Sequence, residues 1–174
     1  MERFLASVER RAFRIALLAT RNRDDALDLV QDAMLNLVQH YTQQDAAEWP
    51  MLFHRILHNR IMDWQRRQKV RKALFGWLPR SSDPEDEQDP IADVAAPGED
   101  APAHWLEASR RVEVLDASLG ALPARQRQAF LLRVWEGFDV AETAQIMGCS
   151  DGSVKTHYSR ACAALRQALE GLWP

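Results

Sequence analysis

The stretch RSSDPEDEQDPIADVAAPGEDAPA, residues 80–103, is the feature that most limits what this chain can fold into. It is dense in Pro, Asp and Glu and follows neither a helical nor a strand period. Such a segment buries too little apolar surface to offset the entropy lost on ordering. It reads as a flexible acidic linker over residues 73–103, with one small domain before it (1–72) and another after it (104–174). The charge distribution agrees. The overall charge of −3 divides into +4 for residues 1–72, −7 for 73–103 and zero for 104–174. With 47% apolar residues, each end has enough to form a core.

Both ends read as helical, so the expected fold class is all-α. In DDALDLVQDAMLNLVQHY, the residues Ala26, Leu29, Val30, Ala33, Met34, Leu37 and Val38 recur at three- and four-residue steps. Asp24 and Asp25 suit the start of that helix. Residues 3–19 repeat the pattern through Phe4, Val8, Ala12, Ile15 and Leu18. A third helix is predicted from Pro50, a first-turn proline. It carries Leu52, Phe53, Ile56, Leu57, Ile61 and Trp64 and ends in a basic run. The second domain predicts helices over 104–119, from Leu122-Pro123 to Gly137, over 140–147, and from Asp151 to Leu172.

Several function classes fall away. No run approaches the ~20 apolar residues of a membrane span. The charged opening MERFLASVERRAF lacks the apolar core of a signal peptide, so a cytoplasmic protein is expected. Cys149 and Cys162 form no CxxC pair and read as reduced, structural thiols. His54 and His58 stand at i,i+4, but no third ligand joins them to make a metal site. No phosphate loop or nucleophile elbow is present, so neither catalysis nor a cofactor is expected.

The stretch MGCSDGSVKTHYSRA, Met147 to Ala161, carries the most chemistry. With Val154 at zero and 100° per residue, Tyr158, Ala161, Leu165, Leu169 and Leu172 all lie within about 60° of it. Thr156, Ser159 and Arg160 fall on the far side, flanked by Lys155 and Ser153. Ala144 lets two helices approach closely, Gly148 permits a sharp turn, and Ser150 can cap the next helix. This is the spacing of a helix-turn-helix, whose second helix enters a DNA major groove. Lys155 and Arg160 can donate to guanine edges or phosphates, while Thr156 and Ser159 are short enough for close approach. A plain solvated face is the competing reading of the same residues.

Taken together, DDALDLVQDAMLNL, RILHNRIMDWQRR, LPARQRQAFLLRVWEGF and VAETAQIMGCSDGSVKTHYSRACAALR resemble the sigma-70 superfamily of bacterial transcription initiation factors. The likeness is to the compact extracytoplasmic-function group, and it covers most of residues 22–67 and 119–166. The resemblance implies a region 2 helical bundle and a region 4 helix-turn-helix, with core RNA polymerase and promoter DNA as partners. Asp28, Gln31 and Asp32 match the segment that docks on the polymerase clamp helices. Phe53 to Arg67 match the part that melts and reads the −10 element. Asn59 falls beside a flipped-out base, and Arg55, Arg60, Arg66 and Arg67 fall where phosphates are neutralised. The loop TQQDAAEWP, ending at Trp49 and Pro50, takes the place of the −10 specificity loop. Leu52 and Phe53 depart from the family's common Trp-Leu pair. Ser153, Lys155, Thr156, Ser159 and Arg160 match the −35-reading positions. Arg125 and Arg127 are open to DNA backbone, polymerase or solvent. The linker's carboxylates are expected to mimic nucleic acid near the active-site cleft. The resemblance also leaves room for an anti-sigma partner. A stand-alone helix-turn-helix regulator, binding operator DNA without polymerase, is the alternative. A helical adaptor that binds no DNA is a further one.

Overall fold

The three N-terminal amphipathic stretches form long helices. The computed structural model describes residues 1–75 and 103–170, and the chain divides into two compact units, Met1–Gln88 and Asp89–Pro174. In the first unit α1 spans Glu2–Thr20, α2 Arg23–Tyr41 and α3 Trp49–Phe75. Each helix packs on the other two. Alanines 12, 16, 26 and 33 are fully buried along α1 and α2, so the two backbones can lie close. Leu37, Leu57 and Ile61 fill the space between, and each such burial is worth about 1.5–3 kcal/mol. Phe4 meets both Trp49 and Phe53 at ring-centroid distances of 6.1 Å, which sets the start of α1 beside the start of α3. The bundle therefore runs up, down, up, and α1 and α3 end at the same side.

The corner between α1 and α2 is tightly bonded. Arg21 ends α1 in the left-handed conformation, φ 56° and ψ 23°, and its N–H donates to Leu17 O at 2.8 Å. That conformation costs a non-glycine residue roughly 1–2 kcal/mol. Thr20 Oγ1 donates to Asn22 O at 2.9 Å, and Asn22 Oδ1 accepts from Asp25 N at 2.9 Å, capping α2.

The second unit uses shorter pieces. α4 spans Ala103–Ala121, α5 Ala124–Phe130, α6 Val140–Met147 and α7 Asp151–Ala168. The single helix expected up to Gly137 is in fact α5 followed by a π-helical turn, Leu131–Trp135. That turn closes with Glu136 N donating to Leu131 O at 3.1 Å and Phe138 N to Leu132 O at 3.0 Å. The wider turn leaves Leu131 and Leu132 buried and Val134 and Trp135 outside. Gly137, at φ 79°, then reverses the chain. The core is Leu119, Leu122, Ala129, Leu131, Ile146, Val154, Ala161 and their neighbours.

Other boundaries shift by a few residues. α3 opens at Trp49 rather than Pro50 and runs to Phe75, three residues past the expected domain end. α7 closes at Ala168, not Leu172, with Leu169 as its cap. The acidic run that separates the two ends lies outside the described residues, as does the expectation that it mimics nucleic acid.

Candidate nucleic-acid and polymerase interfaces

The start of α7, the candidate recognition helix, is set by caps. Asp139 and Glu142 form a reciprocal capping box at the start of α6: Glu142 N donates to Asp139 Oδ1 at 2.8 Å, and Asp139 N to Glu142 Oε2 at 2.7 Å. Gly148 ends α6 at φ 61°, and Cys149 N donates to Ala144 O at 3.1 Å. Ser150 Oγ then accepts from Ser153 N at 3.2 Å and opens α7. Arg125 Nη1 donates to Met147 O at 2.8 Å, tying α5 to the last turn of α6. Arg127 is buried and donates to Gly120 O at 3.1 Å. Both guanidiniums hold carbonyls at helix C-terminal ends, Met147 of α6 and Gly120 of α4.

On α7 the outer face is as the wheel placed it. Lys155, Thr156, Ser159 and Arg160 are exposed, while Val154, Ala161 and Leu165 are buried. Two members of the expected reading set are partly committed to the helix itself. Ser153 is half-buried, and its hydroxyl lies 3.0 Å from that of Ser150. Thr156 Oγ1 donates to Gly152 O at 2.9 Å, so its hydroxyl proton is spent on the backbone. Tyr158 stacks on Phe130 at 6.2 Å, and the Arg133 guanidinium lies over the Tyr158 ring at 6.0 Å. A hydrogen bond and charge interaction with Cys162, then burial, push the Tyr158 phenol above its usual pKa.

On α3, Arg55, Asn59, Met62 and Arg66 recur at four, three and four residues, a single stripe within about 60°. Asn59, Arg66 and Arg67 are exposed, and Arg55 and Arg60 half-buried. Asp63 lies 3.1 Å from Arg66 Nη1, an exposed pair that contributes little to stability. Phe53 corrects the expectation. It is fully buried, edge-on to Phe4 and to His54, and is a core residue rather than a DNA contact. The i,i+4 repeat through Leu57 and Ile61 could have placed it there. Trp49 is half-buried against Phe4, with its indole Nε1 enclosed and without a hydrogen-bond partner. The loop before it, Thr42–Glu48, is exposed throughout. His54 and His58 are both buried, and the described residues contain no group of three side chains able to hold a metal.

On α2, Asp28, Gln31 and Asp32 are all exposed. The structure adds what the sequence pattern missed. Leu27, Leu35 and Val38 are exposed on the same face, at 38%, 58% and 41%. With Gln31 they make a seam at i, i+4, i+8 and i+11, flanked by Asp24, Asp28 and Asp32. Leu27 and Leu35 stand outside the 26/29/30/33/37 stripe, and that was the available signal. Val38, expected on the buried side, is exposed, because its helical phase falls with Leu27 and not with the buried 26/29/30/33/37 stripe.

Comparison with known proteins identifies both units. A family model described as Sigma-70 region 2 matches residues 1–86, and one described as Sigma-70, region 4 matches residues 113–165. The ECF RNA polymerase sigma factor SigM of Mycobacterium tuberculosis is 32% identical over 162 residues, covering 92% of this chain and 72% of that protein. The RNA polymerase sigma-E factor of Streptomyces coelicolor is 29% identical over 146 residues, covering 83% and 72%. The solved sigma factor RpoE from Bartonella quintana, in complex with the anti-sigma factor NepR, shares the fold. Its TM-score is 0.63 at 23% identity, over 98% of this chain and 99% of that one. A region 2 match at the N-terminus has no place in a stand-alone regulator, so that alternative is not favoured. None of the described helices is long and apolar enough to cross a membrane. The chain therefore belongs to the sigma-70 family, among its extracytoplasmic-function RNA polymerase sigma factors.

Proposed function

We propose that this sigma factor divides its work among three helix faces. The seam on α2, with Asp28, Gln31 and Asp32 beside Leu27, Leu35 and Val38, grips a cationic amphipathic partner helix of core RNA polymerase. Such a helix-on-helix dock takes its affinity from apolar burial and its alignment from charge. On α3, Asn59 receives a base extruded from the −10 element, and Arg55, Arg60, Arg66 and Arg67 neutralise the separated strands. Extrusion costs a few kcal/mol, offset by edge hydrogen bonds and stacking. Trp49, with an enclosed indole and an exposed loop before it, anchors that loop against Phe4 rather than meeting DNA. On α7, Lys155 and Arg160 make the polar contacts to the −35 element. Thr156 offers its methyl group and Ser159 its hydroxyl.

The exposure of Lys155, Thr156, Ser159 and Arg160 on the N-terminal half of α7, opposite buried Val154 and Ala161, carries this reading. Each well-placed base contact discriminates by about 1–3 kcal/mol. Two modest sites on one scaffold gain affinity through effective concentration. The polymerase supplies the chemistry, the protein acts in the cytoplasm, and an anti-sigma protein is a further candidate partner. Transcription by sigma-free core polymerase on a genomic promoter pool tests the reading. Addition of the chain should yield a defined set of start sites. Arg160→Ala should remove those that depend on a −35 element, and Leu35→Asp should abolish holoenzyme formation. A pool unchanged by the wild-type chain would sink the proposal.

A further inference from the structure

α1 has no part in the three faces above, yet it is rich in arginine. Arg10 and Arg14 share one face of the helix, and Arg21 continues the same line at steps of four and seven. Glu2 and Glu9 lie about 100° or more away around the helix. Arg10 and Arg21 are exposed and Arg14 is half-buried. From Arg10 to Arg21 the helix rises about 16 Å, which is the rise of about five nucleotides.

Arg21 is an unusual choice for its position. Among the described residues it is the only non-glycine with positive φ. Glycine or asparagine closes a helix there without strain. The hydrogen bonds that hold the corner run through its backbone and through the side chains of Thr20 and Asn22. A strained backbone carrying a long cation, where an uncharged small residue would fold better, points to a use for the cation.

Its location suggests the use. The start of α1 lies beside the start of α3, so the end of α1 lies at the level of Arg66 and Arg67. Arg23, the first residue of α2, sits there too, its guanidinium 5.7 Å over the Phe13 ring. Three helices thus bring cations to one end of the bundle.

We propose that the α1–α2 corner, centred on Arg21, is a contact for the backbone phosphates of promoter DNA, extending the cationic end of α3. It rests on the sigma-factor reading of α3 and adds a surface to it. The arginines supply sequence-independent affinity there, as phosphate contacts do.

The test uses reconstituted holoenzyme on a promoter, with complex affinity followed against KCl. Arg21→Asn keeps a residue suited to the backbone and removes the charge. It should flatten the log–log salt slope by about one unit and leave holoenzyme assembly as in wild type. Arg21→Lys should restore the slope. Arg21→Gly should match Arg21→Asn in the slope while melting no lower than wild type. A wild-type slope for Arg21→Asn overturns the proposal, and so does a loss confined to polymerase assembly. Arg55→Gln serves as the control. If it flattens the slope and Arg21→Asn does not, the corner alone is wrong. If neither does, the assignment of α3 fails as well.

Discussion

The two compact units present their candidate DNA-facing side chains on helices of opposite make. α3 is 27 residues long, and its outer stripe is aligned by a hydrophobic seam underneath. α7 has a buried stripe of its own, Val154, Ala161 and Leu165, but it follows an 8-residue helix and a turn, and polar bonds at those ends set where it starts. The capping box of Asp139 and Glu142, the Ser150 cap and the Arg125 clamp on Met147 O all act before the first candidate reading residue. A long helix needs packing to stay put. A short one needs its ends satisfied, because a large share of its backbone groups lack partners within it.

That contrast can be broken by mutation. Phe53→Ala should have the largest effect, about 3–5 kcal/mol, because the ring is fully buried and leaves a cavity. Hydrogen exchange should show α1 to α3 opening while α7 amides keep their protection. Arg125→Ala should cost about 1.5–3 kcal/mol in the second unit by removing a charged donor and stranding Met147 O. Transcription from promoters that need a −35 element should fall, and binding of a short forked −10 template should not. If Arg125→Ala destabilises more than Phe53→Ala, the contrast is the wrong way round. Asp139→Ala comes next, at about 1 kcal/mol, read as a lowered melting midpoint of the second unit.

The smallest effect sharpens the comparison through pH. The folded state holds Tyr158 protonated beyond the usual tyrosine range, mainly through Cys162. The folded phenol therefore keeps its proton where the unfolded one has begun to lose it. The resulting stability is complete below the ordinary tyrosine pKa and is lost as pH rises through the folded value. An alkaline melt of the second unit should show this decline, and Tyr158→Phe should remove it.

How far such features can be read beforehand depends on which force sets them. The outer face of α7 was legible because one helical period separates Val154, Ala161 and Leu165 from Lys155, Ser159 and Arg160. The bundle was legible for the same reason. Phe53 was misplaced because a family position was carried over against the residue's own apolar phase. Arg125 and Arg127 were open because a guanidinium serves solvent, phosphate or a carbonyl equally well, and only tertiary placement decides. The left-handed Arg21 left no mark at all, since its neighbours Thr20 and Asn22 impose the turn through side-chain bonds that span two and three residues.

The π-helical turn at Leu131–Trp135 has a consequence for how this fold tolerates change in length. A π turn accommodates one residue beyond what a tight spiral holds. Deleting Val134 would let the same turn close as ordinary α-helix with one residue fewer, so the chain downstream would leave α5 in nearly its present direction. Lys155 and Arg160 would then keep their placement on the second unit. The spare residue is therefore slack in the spiral, and a one-residue deletion there should prove far more forgiving than one inside α5 or α7, where each lost residue turns all that follows by about 100°.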